Sequence, residues 1–144
     1  MRRVVITGMG IWSCLGDNLN EVKTSLYEGR SGIVIDPERK DWGYRSLLTG
    51  KVSTPELKGK LDRRARVQLS QEAEYAYLST VEALSNAKME QSWIDQNEVG
   101  ILFGNDSSAK AVMEAIDTLR AKKDTTLIGS GSIFQSMNCT VTMN

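Results

Sequence analysis

Val4-Val5-Ile6 is a continuous β-branched run that breaks at once into two closely spaced glycines, Gly8 and Gly10. The pattern returns near the far end, where Val99 to Phe103 runs into Gly104. Such runs read as buried strands, each followed by a turn and then by a helical pattern. The order therefore predicts an α/β chain, with strands over 3–7 and 99–103. After the first turn, Asn18 or Asn20 can cap a helix running to about Glu28, with Val22, Leu26 and Tyr27 on its apolar face and Gly29 at its end. Residues 33–60 are irregular, with one short extended piece expected near Lys51 to Ser53. Leu69, Ala73, Ala76, Thr80, Leu84 and Ala87 recur at helical spacing, which predicts one long helix over 67–87. A second amphipathic helix is expected over 108–122, with Val112, Ala115, Ile116 and Leu119 inward. Residues 125–132 read as a small polar loop, and an ordered pattern resumes over 133–144.

The first glycine pair invites comparison with a dinucleotide-binding loop. Gly8 and Gly10 fit the first two positions of GxGxxG, but Ser13 occupies the third. The following helix starts only after Asp17, too late to present its N-terminus to a phosphate. The residues favour glycines that let the chain turn sharply after a strand.

Several chemistries are excluded by residue supply. The 144 residues contain no histidine, so no Ser-His or Cys-His mechanism can be completed within the chain. The two cysteines, Cys14 and Cys139, form no CxxC pair, and a metal site is not expected. Both read as free, packed thiols, because neither has a cationic neighbour to activate it. Formal net charge is zero, which gives no overall attraction to nucleic acid or membrane. The basic start, Met1-Arg2-Arg3, precedes an apolar run too short for a signal peptide, so the expected location is the cytoplasm.

Charge is unevenly spread all the same. Lys58, Lys60, Arg63, Arg64 and Arg66 are interrupted only by Asp62, a local charge of +4 in a neutral chain. Cations at the start of a helix oppose its dipole, so helix stability does not explain them. A solvated face and a surface that steers an acidic partner both fit.

The segment "RRVVITGMGIWSCLGDNLNEVKTSLYEGRSGI" resembles the start of the β-ketoacyl-acyl-carrier-protein synthases, the condensing enzymes of fatty acid synthesis. "LDRRARVQLSQEAEYAYLSTVEAL" is similar to the family's basic segment and long alanine-rich helix, and "VGILFGN" to its second core strand. The resemblance implies a thiolase-like fold, of which this chain would be the N-terminal portion of the first α/β half, an incomplete mixed sheet with packed helices. It implies decarboxylative condensation of an acyl thioester with malonyl-carrier protein. That chemistry uses a cysteine in a motif like S-A-C-A-S-G and two histidines. Cys139, in Asn138-Cys139-Thr140-Val141, does not match that motif, so the chain is expected to hold no catalytic residue and no cofactor. The segment "FQSMNCTVTMN" reads like an element cut in its middle, ahead of where the motif would begin.

The resemblance also places acyl carrier protein on the basic segment, and a second subunit, identical or not, against the whole protein. Ser107 and Ser108 would stand where the family closes its acyl pocket. In the residues alone, Asp106-Ser107-Ser108 reads first as a helix cap. Ile133 and Phe134 would stand at the family's apolar gate, and core packing fits both equally well. The family's glycine-rich run here carries one glycine, Gly104. An alternative assignment is a non-catalytic, chain-length-factor-like partner of a synthase pair, distinguished by the residue that follows the third core strand of the whole protein.

Overall fold

The computed structural model describes residues 3–104, 109–131 and 135. The chain resolves into two compact units, one from Met1–Thr54 with Leu78–Trp93, the other from Pro55–Tyr77 with Ile94–Asn144.

In the first unit, α1 spans Leu19–Tyr27. Asn18 is its N-cap, in extended conformation, and its side-chain oxygen accepts from the Glu21 N–H at 3.0 Å. Glu21 completes the reciprocal arrangement, accepting from Asn18 Nδ2 and from the Asp17 N–H, each at 2.8 Å. The helix stops at Glu28, and Gly29 follows at φ +64°, a left-handed geometry that costs glycine nothing. The buried face carries Val22 and Ser25. Leu26 and Tyr27, expected inward, are exposed. Leu26 shares the face of Val22, so the cover over this face ends at Ser25, in the last turn of the helix. Ser25 is buried without penalty because its hydroxyl donates to the Leu15 carbonyl at 2.7 Å.

The region expected to be irregular contains a hairpin. Strands β1 (Ile33–Ile35) and β2 (Leu48–Gly50) pair antiparallel, with Val34 opposite Thr49. A four-residue helix, α2 (Glu38–Asp41), lies in the connection. The extended piece thus falls at Leu48–Gly50 and not at Lys51–Ser53, because the ladder to β1 sets its register.

In the second unit, α3 spans Arg63–Gln68, capped by Asp62, whose carboxylate accepts from the Ala65 N–H at 2.8 Å. α4 (Gln71–Asn86) follows and contributes to both units. The continuous helix expected over 67–87 is therefore broken. Leu69 is extended, and Ser70 restarts the chain as a cap, its hydroxyl accepting from the Ala73 N–H at 3.3 Å. Ala73 and Ala76 are buried as the periodicity requires, and Leu78 joins them. A short α5 (Gln91–Ile94) begins in the first unit and ends at the first residue of the next stretch of the second, which carries α6 (Lys110–Lys122). On α6 the covered residues are Ala111, which is buried, and Ala115 and Thr118, which are half-buried. Val112, Ile116 and Leu119 are exposed, so the covered face is rotated by one residue from the expected one. A single 3-10 turn, η1 (Thr125–Leu127), ends the description of regular elements. Its cap, Asp124, accepts from both the N–H and the hydroxyl of Thr126, which holds its carboxyl below the usual range.

Neither predicted strand forms a ladder. Val4 and Leu102 are each 97% exposed, and among the described residues nothing pairs with 3–7 or 99–103. A strand exists only through a partner, and its inter-strand hydrogen bonds are long-range contacts that no local run of residues supplies. The one sheet among the described residues is the β1–β2 hairpin.

Candidate functional site

The opening glycines serve helix packing. A Cβ on Gly8 would collide with the Ala83 carbonyl and with Ala87, and one on Gly10 with the Ser79 carbonyl. The loop at 8–11 therefore lies directly against α4, with no room for a side chain between them. Polar groups of the same helix seal the contact. Glu82 accepts from the Ile11 N–H at 2.9 Å through one carboxylate oxygen and from the Leu19 N–H at 2.8 Å through the other. Asn86 accepts from the Met9 N–H at 3.2 Å. Three backbone donors, two from the loop and one from the first residue of α1, are thus satisfied by two residues spaced four apart on one helix. Sequence reasoning missed Glu82 and Asn86. The available signal was that Glu82 is the sole charge between Tyr75 and Ala87.

The basic segment lies in the second unit. It begins where Leu57, 4% exposed, anchors a turn whose carbonyl accepts from the N–H groups of Lys60 and Leu61. Lys58, Lys60, Arg63 and Arg64 are exposed. Arg66 is half-buried, and its Nε is shut off from solvent with no hydrogen-bond partner among the described residues. Among the described residues none of the five makes a salt bridge, and Asp62 is committed to capping α3. Four unpaired cations therefore project from one short stretch, and the fifth is set apart from them by burial. Elsewhere in this unit Glu74 is pushed above the usual carboxylate range by partial burial, with Lys110 opposing the shift.

Cys14 is a free thiol packed against glycine backbone. A Cβ on Gly32 would strike its carbonyl and Sγ, and one on Gly50 would lie 3.4 Å from Sγ. Ser107, Ser108, Ile133, Phe134 and Cys139 lie outside the described residues. No group of histidine, cysteine and carboxylate side chains among the described residues could hold a metal ion, and no described helix is long and apolar enough to cross a membrane.

Residues 1–142 match the family model described as β-ketoacyl synthase, N-terminal domain. The chain is 34% identical over 139 residues to 3-oxoacyl-[acyl-carrier-protein] synthase 1 of Escherichia coli (strain K12), covering 95% of this chain and 34% of that protein. It is 33% identical over 142 residues to the protein of the same name from Haemophilus influenzae, covering 98% of this chain and 35% of that one. The chain thus spans about a third of the length of the curated relatives it matches. Among solved structures, a β-ketoacyl synthase from Burkholderia phymatum STM815 superimposes with a TM-score of 0.73 at 26% identity, covering 95% of this chain and 34% of that one. A ketosynthase/chain length factor of ishigamide reaches the same TM-score at 18% identity, a likeness of fold alone.

Proposed function

This chain belongs to the β-ketoacyl synthase family, matching its N-terminal domain, and from that premise we propose that it serves the condensation of an acyl thioester with malonyl-carrier protein. In that reaction an acyl group passes from carrier protein to a cysteine. Malonyl-carrier protein then loses carbon dioxide, and the resulting enolate attacks the thioester. Two histidines stabilise the thioester oxyanion and the enolate by directed hydrogen bonds. The chain contains no histidine, so those groups must come from outside its 144 residues. On its own it is expected to be inactive, and its part in the work is to recognise the carrier.

The observation that supports this part is the unpaired basic segment. Lys58, Lys60, Arg63 and Arg64 are exposed, have no carboxylate partner among the described residues and follow one another closely along the chain. A patch of this kind accelerates encounter with an acidic protein and sets orientation more than it adds affinity. Arg66 contributes less to such a surface, because its guanidinium is partly enclosed.

The test is association with an acidic carrier protein, followed by stopped-flow. Each exposed charge contributes only about 0.2–1 kcal/mol, so single substitutions have small effects. Reversing two charges together, Arg63→Glu with Arg64→Glu, adds repulsion and is expected to slow association by about tenfold at low salt. The loss shrinks at high salt, where the screening length falls to about 3 Å near 1 M. An association rate unchanged by the double reversal would remove the docking role.

A further inference from the structure

One cleft in the second unit has a lining that a solvated charged face does not require. It is an open groove of about 460 Å³, lined by Arg63, Arg64, Val67 and Gln68 on one side and by Ser130 and Gly131 on the other. Its walls are held by specific contacts. A Cβ on Gly131 would overlap Val67, so the two segments meet backbone to side chain, and the Gln135 amide donates to the Val67 carbonyl at 2.9 Å. The polar lining consists of groups able to donate: two guanidiniums, one amide and one hydroxyl. Among the described residues no carboxylate lines it and neither arginine has an ion-pair partner. The floor is apolar, formed by Val67 and the glycine.

We propose that this cleft binds a phosphate monoester, with the phosphoryl group between Arg63 and Arg64 and a small organic part over Val67. Two planar forks and a hydroxyl need more acceptor oxygens than a carboxylate offers, whereas a phosphoryl group presents three. The cleft falls within the roughly 300–1,000 Å³ range of small-molecule sites and is far larger than an inorganic anion. The inference stands apart from the docking of a carrier protein, although both use the same two arginines.

The test titrates the isotope-labelled 144-residue chain with phenyl phosphate, followed by the amide resonances of Val67, Gln68, Ser130 and Gly131. Saturable shifts at these positions are expected, with phenyl phosphate binding at least about tenfold more tightly than benzoate and more tightly than inorganic phosphate. Arg63→Gln with Arg64→Gln should weaken it by about tenfold or more, while Lys122→Gln with Lys123→Gln, remote in sequence and outside the lining, should not. Absent shifts, equal affinity for benzoate, or an equal loss in both double variants would overturn the proposal. Carrier association is measured alongside. Failure to bind phenyl phosphate with carrier association intact overturns this inference alone. Phenyl phosphate binding without carrier association overturns only the docking role.

Discussion

Glu82 shows how much one side chain can organise when both carboxylate oxygens are used. One oxygen serves the loop after the glycines, and the other serves the first N–H of α1, which has no partner inside its own helix. Glu82→Ala leaves two partly buried donors without acceptors. We expect a loss of about 1–3 kcal/mol in urea unfolding, with Glu82→Gln retaining part of it because the amide keeps one acceptor oxygen. Equal stability of Glu82→Ala and the parent chain would show that water replaces the carboxylate. The same scale separates Arg66 from Arg64. The two differ by two positions in sequence, yet Arg64 is exposed and Arg66 has a shielded Nε. Sequence marked both as equally good candidates for docking, because charge is visible in the chain and burial is not.

Helix boundaries follow from caps wherever a capping residue sits at a real end. Asn18 and Gly29 were readable, and α1 begins and stops beside them, whereas the Asp62 cap of α3 went unread because the helix was expected to start only at Val67. The misread element is the long helix. Its apolar spacing continues through Leu69 and Ser70, so periodicity alone shows no break. Ser70 decides the matter by capping α4 and is itself 6% exposed. Ser70→Ala should cost about 1 kcal/mol, measured by thermal or urea unfolding. If stability instead stays constant and circular dichroism gains helix, the break between α3 and α4 is not set by the serine. On α6 the amphipathic stripe was correctly placed as a helix, but the covered face follows Ala111, Ala115 and Thr118. The covered positions are small residues, whereas hydropathy selects the large ones beside them.

At the scale of the molecule, apolar exposure dominates. Val4, Val5 and Ile6 are 73–97% exposed, and Leu102 matches the highest of them. Runs of this kind favour association when they form patches above a few hundred Å². The chain alone is expected to self-associate, with a scattering mass that rises with concentration. A monodisperse monomer over a wide concentration range would contradict this. Sequence by itself determined the local features: the helix capped at Asn18 and closed at Gly29, the helical character of 71–86 and 110–122, that no histidine is available, and that charge gathers at 58–66. Its motifs were also sufficient to indicate the family, because they occur in order along the whole chain. Tertiary structure alone decided that Val4–Ile6 and Val99–Phe103 have no ladder partner among the described residues. It alone brought Glu82 to two amides 71 and 63 residues away, and set Ser130 and Gly131 beside Arg63 and Arg64. Caps and periodicity act within a few residues, whereas pairing, burial and clefts depend on contacts between distant segments, which local pattern does not encode.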